Sequence, residues 1–172
     1  MKMFNIIIAV DDKNGIWKNW DLAWKISSDL KYFKNITTNT TEPNKINAVV
    51  MWRKTWESIP EKFRPLPWRL NCILSRKYDN KDYKYDSLES CISDLKRKED
   101  IEKIFIIGWA NLYNQVLNNP MLDKIYLTKV EWDFDCDVFF DWVPSNCELE
   151  FSSDIETEND IWYSFLVYQI KR

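Results

Sequence analysis

The chain has 172 residues, 45% hydrophobic and 30% charged, with a formal net charge of −3, a balance that suits one globular domain over residues 1–172. Nothing in that charge calls for nucleic acid or a membrane surface as partner, and no apolar run approaches the roughly 18 residues of a membrane span. With no histidine and four scattered cysteines (Cys72, Cys91, Cys136, Cys147), a His-ligated metal and a His-based triad are excluded, no metal is expected, and reduced thiols in a cytoplasmic setting are the simplest reading.

Phe4 to Val10 is a short apolar run that predicts a buried strand. A polar loop over 11–23 follows. From Trp24 to Ile36 the pattern switches to helical period, with Ile26, Leu30 and Phe33 on one face. A loop over 37–45 leads to a second buried strand, Asn47 to Met51, and a short helix around Thr55 to Ile59. Pro60, Pro65 and Pro67 keep the next segment irregular. Leu70 to Leu74 is a third strand. Ser87 to Lys98 predicts an amphipathic helix with Leu88, Cys91, Ile92 and Leu95 inward and Ser87 as its cap.

Lys103 to Ile107 predicts another buried strand, Trp109 to Leu117 a helix, and Lys124 to Val130 a strand. Ile161 to Ile170 alternates as a C-terminal edge or hairpin strand. Strands alternating with helices imply an α/β fold with a mostly parallel central sheet and helices on both faces. Ligands of such sheets bind outside the carboxyl ends of the strands. The residues that follow strand ends are therefore the candidates: 11–24, Trp52 to Thr55, Ser75 to Lys77, and Gly108 to Ala110.

Asp29 is the sharpest of these local features. It stands three residues from Ile26 and four from Phe33, so it points near the apolar face. On spacing alone it is either an edge-of-face acid bonded to a neighbouring Ser or backbone group, or a carboxylate held in an apolar setting for chemistry. Ile7, Ile8, Ile59 and Ile107 suit the core of almost any α/β domain. By themselves, Arg69, Thr128 and the cluster Ser75-Arg76-Lys77 fit plain surface charge, ordinary strand and a solvated strand end.

Gly15-Ile16 through Asp21-Leu22-Ala23-Trp24, then Asp29 and Phe33, resembles the first loop and helix of dihydrofolate reductases. Val49-Val50-Met51-Trp52-Arg53-Lys54-Thr55-Trp56-Glu57-Ser58-Ile59-Pro60 is similar to their strand-to-helix signature. Arg64 to Arg69 and Leu74-Ser75-Arg76 continue it. Ile106-Ile107-Gly108-Trp109-Ala110 with Tyr113 resembles their second cofactor loop, and Ile125 to Thr128 with Cys136 to Phe140 completes the order.

The resemblance implies a metal-free hydride transfer from NADPH to dihydrofolate, giving tetrahydrofolate, in a monomer that antifolates would also bind. Asp29 matches the acid that supports protonation of the pteridine. Ile7, Ile8, Phe33, Ile59 and Ile107 match the apolar walls of the substrate site, Thr128 the hydroxyl bonded to the acid, and Arg69 the clamp on the substrate's glutamate. Ala9, Ile16, Arg53, Lys54, Thr55, Ser75, Arg76, Gly108, Trp109, Ala110 and Tyr113 match positions around NADPH. Cations and helix starts in that set suit phosphate.

One feature of the composition departs from the resemblance. The chain has two glycines, Gly15 and Gly108, and ten tryptophans, against a usual glycine share of about 7%. Trp17, Trp52 and Trp109 stand where the family has Gly. Trp20, Trp68 and Trp132 stand where Gly or another small or turn residue is usual, and Ala23 replaces a characteristic Pro. Trp24, Trp56 and Trp162 are ordinary for the family. The pteridine side is kept while the cofactor side is altered. The expected function is therefore the reductase, with a non-catalytic pteridine or antifolate binder of the same fold as the alternative.

Overall fold

The computed structural model describes residues 2–19, 21–76, 84–141 and 143–172; Trp20 and Lys77, singled out above, lie outside them. In chain order the elements are β1 (Phe4–Val10), β2 (Gly15–Lys18), β3 (Asp21–Leu22), α1 (Ser27–Thr38), β4 (Ile46–Trp52), α2 (Arg53–Ser58), β5 (Arg69–Leu74), β6 (Lys84–Tyr85) and α3 (Leu88–Arg97). They continue as β7 (Ile101–Ile106), α4 (Ala110–Val116), β8 (Leu122–Val130), β9 (Val138–Phe139), β10 (Cys147–Ser152), β11 (Glu156–Glu158) and β12 (Ile161–Ile170).

The central sheet runs β10-β12-β8-β1-β7-β4-β5-β6, with β11 paired to β12, and β3-β2-β9 form a small second sheet. β1 lies parallel to both β7 and β8, and β4 parallel to β5 and β7. Strands in this middle are covered on both faces, which is why they read as unbroken apolar runs. Successive side chains alternate between two cores. Ile6, Ile8, Val50, Ile104 and Ile106 pack with α3 and α4, while Ile7, Val49, Met51, Ile73, Phe105 and Ile107 pack with α1 and α2. The helices on the two faces are those the sequence predicts, and Ser87 caps α3 by accepting the Ser90 N–H at 3.1 Å.

Parallel strands put their carboxyl ends on one edge, and there the chain leaves β1 through Asp11. Asp11 is fully buried. Its Oδ1 accepts the N–H groups of Lys13 and Gly15 at 2.9 and 2.6 Å, and its Oδ2 that of Phe134 at 3.2 Å. One carboxylate thus ties the turn after β1 to the segment after β8. Gly15 is needed for this approach, because a Cβ there would fall 2.4 Å from that of Cys136.

The structure corrects the sequence reading in four places. The stretch 11–23 is more than loop, since it contains β2 and β3. α1 begins at Ser27, as Trp24 and Ile26 belong to a third cluster with Val130 and Tyr163. Leu30 is 60% exposed and contributes nothing to a buried stripe. For Ile161 to Ile170 the edge reading fails and the hairpin reading holds, since β12 pairs antiparallel with β11 across a two-residue turn and lies between β8 and β10.

Candidate active site

The site is organised by the first turn of α1. Its N-cap, Ile26, has no side chain able to satisfy the free N–H groups. Glu158, at the end of β11, does so instead: its carboxylate accepts the N–H groups of Ser27 and Ser28 at 2.7 and 3.1 Å, and both serine hydroxyls as well. A negative charge at a helix N-terminus is favourable, and these hydrogen bonds hold the Glu158 carboxyl down at about 2.

Asp29 lies in the turn so fixed. Its Oδ1 accepts the Thr128 hydroxyl at 2.7 Å, across the gap from α1 to β8. The residue keeps some exposure, but its carboxyl group is withdrawn from water. Burial pushes its pKa up from the usual aspartate range, and the Thr128 hydrogen bond pulls less strongly the other way. Asp29 and Thr128, expected from the sequence as partners, are brought together.

Below Asp29 along α1 lies an apolar wall. Ile7 and Ile107 are buried there, with Phe33 and Ile59 packed against them. Ile8 is not part of this wall, because adjacent residues of β1 face opposite layers and Ile8 packs beside Ile6 and Ile16. Tyr32, Leu66 and Tyr126 join the wall without having been expected. Tyr126 was legible in principle, standing two residues before Thr128 and hence on the same face of β8.

Arg69 closes the far end of this wall. Its guanidinium donates to the Thr37 hydroxyl at 2.8 Å and to the Pro67 carbonyl at 3.0 Å, and lies 5.7 Å from the Phe33 ring centroid. The residue is buried, and that burial lowers its pKa. Among the described residues no carboxylate stands within ion-pair distance of it. Asp29 and Thr37, eight positions apart on one helix, place acid and guanidinium about 12 Å apart along the axis.

A second depression, a groove of about 520 Å³, lies over the carboxyl ends of β4, β5 and β7. Arg53, Lys54, Ser75, Arg76, Trp52 and Trp109 line it. Arg53 is shared with Glu57 at 2.9 Å, and the Lys54 ammonium sits 5.6 Å from the Trp109 ring centroid. Beneath them the Thr55 hydroxyl is buried with no hydrogen-bond partner among the described residues.

Thr55 packs against Gly108, where φ is 70° and a Cβ would meet the Thr55 methyl at 2.2 Å. The Gly108 N–H donates to the Tyr113 hydroxyl, which donates to the Ile7 carbonyl at 3.0 Å. Tyr113 thus joins this loop to β1. Ala110 opens α4, Ile16 is buried in β2 and Ala9 packs in the third cluster. These three lie near the groove's loops but do not line it.

Trp109 carries φ 59° and ψ 122°, outside the small left-handed well open to side-chain-bearing residues. Even within that well the cost is roughly 1–2 kcal/mol. The Trp17 ring lies 6.1 Å from that of Trp109.

The sheet thus carries an acid beside an apolar wall at α1 and β8, and a cationic groove over the ends of β4, β5 and β7. Residues 3–171 match the family model for dihydrofolate reductase. A dihydrofolate reductase of Drosophila melanogaster is 37% identical over 179 aligned residues, covering 98% of both chains. One of Candida albicans is 46% identical over 128, covering 73% of this chain and 67% of its own. The bifunctional dihydrofolate reductase-thymidylate synthase of Daucus carota is 35% identical, and the match covers 97% of this chain but 34% of that protein. The chain belongs to the dihydrofolate reductase family.

The raised Asp29 pKa has a stability consequence. Below the unfolded value, about 3.9, both states are protonated and burial costs nothing. As pH rises through the higher folded value, the buried carboxyl must ionise and stability is lost. Asp29→Asn removes that loss. We expect the variant to melt at a higher temperature than the parent at pH 7, with the gap closing towards pH 3, in paired thermal scans across pH. A variant less stable than its parent at pH 7 contradicts the assignment of burial as the dominant cause.

Proposed function

We propose that this chain reduces 7,8-dihydrofolate to 5,6,7,8-tetrahydrofolate by hydride transfer with NADPH, placing it in folate metabolism. The observation that carries the reading is the withdrawn carboxyl of Asp29, held by Thr128 at one end of an apolar wall that ends at an arginine with no carboxylate partner among the described residues. A bicyclic pteridine joined through a benzoyl group to a glutamate fits that order of acid, wall and cation.

Asp29 and Thr128 present a donor and acceptors to the edge of the pteridine. A cationic ring and the Asp29 carboxylate each favour the charged form of the other, so the acid supports a proton on the ring where the hydride is to be accepted. Ile7, Phe33, Ile59 and Ile107 exclude water from that edge, which strengthens the interaction. Arg69, desolvated and preorganised by Thr37 and Pro67, suits the bidentate grip of a carboxylate.

On the other side, NADPH supplies the hydride when bound. Arg53, Lys54 and Arg76 provide positive charge for its phosphates, and the buried Thr55 hydroxyl, without a hydrogen-bond partner among the described residues, packs against Gly108 close by. The residues fit the cofactor in charge, while the Trp52 and Trp109 indoles occupy part of the groove. A pteridine binder without turnover has only that crowding in its favour, and the full-length relatives carry the reductase name.

Asp29→Asn should lower dihydrofolate reduction by orders of magnitude while the protein stays folded. The parent's rate should fall as pH rises through the raised Asp29 pKa, and this dependence should vanish in the variant. Near-parent turnover by the variant would refute the role.

Arg69→Ala should weaken folate binding by about 2–5 kcal/mol, the cost of losing a desolvated charge-assisted pair. An antifolate that lacks the glutamate should bind almost as before. Calorimetric titration of both ligands decides it, and equal losses would place the tail elsewhere.

A further inference from the structure

The described tryptophans differ in how they sit: Trp17 and Trp52 are partly buried against the core, and Trp132 and Trp162 are exposed. Trp24 and Trp56 are core side chains, 4% and 9% exposed within apolar clusters. Trp68 and Trp109 instead hold backbone conformations that no indole favours, with φ of 65° and 59°. Among the described residues, the others with a side chain and positive φ are Asn14, Asn19, Asn44, Asp135, Asn159 and Asp160. All six are Asn or Asp, the types that tolerate this region because their short polar groups bond locally. Tryptophan has no such property.

Trp68 holds this conformation with 77% of the residue exposed. At Trp109 the ψ of 122° lies outside the left-handed well open to residues with a Cβ. Trp109 meets the ring of Trp17 and shares the wall of the cationic groove with Trp52, so three indoles crowd one place. Meanwhile the chain has two glycines in 172 residues.

We propose that positions 17, 52, 68 and 109 are glycine in the polypeptide made by the cell that carries this gene. The triplet UGA specifies tryptophan in some genetic codes. It differs from the glycine triplet GGA at one base, so a single anticodon change in a glycine tRNA decodes UGA as glycine. Such a cell would insert glycine wherever UGA stands and tryptophan wherever UGG stands. Trp24 and Trp56 are then UGG-encoded, and the four strained or crowding positions are UGA-encoded. With glycine there the backbone keeps its shape without a Cβ, and the groove opens to the phosphates of a dinucleotide.

The consequence for the groove rests on the reductase reading; the decoding itself does not. The direct test is peptide mass spectrometry on the protein purified from its own cells after trypsin digestion. The peptide Ile104–Lys124, which contains position 109, should be lighter by the difference between a tryptophan and a glycine residue. Peptide Thr55–Lys62, which contains Trp56, should keep its tryptophan mass. Tryptophan at position 109 in that protein overturns the proposal.

A second measurement separates the two readings. The recombinant variant Trp17→Gly/Trp52→Gly/Trp68→Gly/Trp109→Gly should bind NADPH at least tenfold more tightly than the chain with all four tryptophans, with antifolate affinity little changed. If the native peptide carries glycine and this affinity does not rise, the decoding stands and the assignment of the groove to the cofactor fails.

Discussion

The hydrogen bond from Thr128 to Asp29 spans the gap between β8 and α1, and most of what the site can do depends on it. It holds a carboxyl group at the rim of an apolar layer, where burial makes the charged form costly. That cost is tolerated because two separate devices fix the geometry. Glu158 caps the turn in which Asp29 sits, and the pairing of β8 with β1 and β12 fixes Thr128 near the carboxyl end of the sheet. An acid so placed is poorly solvated and ready to share a proton with a basic ring.

The apolar wall and the cationic groove are joined through β1. Ile7 contributes its side chain to the wall, while its carbonyl receives the Tyr113 hydroxyl that also holds Gly108. The floor of one site is therefore bonded to the loop of the other. Asp11, just past the end of β1, extends the same arrangement to the segment after β8. One strand and its two terminal contacts thus link the apolar wall to the loop that begins α4 and to the segment after β8.

What was legible in the sequence follows from where free energy is concentrated. β1, β4, β5, β7 and β8 lie in the middle of the sheet, so their apolar runs stand out without any partner being known. β10 and β11 have exposed, acidic sequences and are strands only because β12 pairs with them. The start of α1 was misplaced at Trp24 because its true cap, Glu158, comes from the far end of the chain. Asp29, Arg69, Thr128 and, in the groove, Arg53, Lys54, Ser75 and Arg76 are legible chiefly through resemblance, while Asn111 and Gln115, which also line the groove, carry no signal in the sequence reading. Ile8 was drawn in with Ile7 although strand alternation sends it to the opposite layer. Leu30 kept its helical period yet found no core to enter.

The central claim is that Asp29 is a carboxyl group whose ionisation is opposed by its surroundings. Its own titration tests this most directly, followed by carbon-13 NMR of the side-chain carboxyl, assigned by loss of the signal in Asp29→Asn. The midpoint should lie clearly above the ordinary aspartate value of about 3.9, and should rise further in Thr128→Val, where the hydrogen bond that favours the anion is gone. A midpoint at or below the ordinary value in the folded parent would contradict the account.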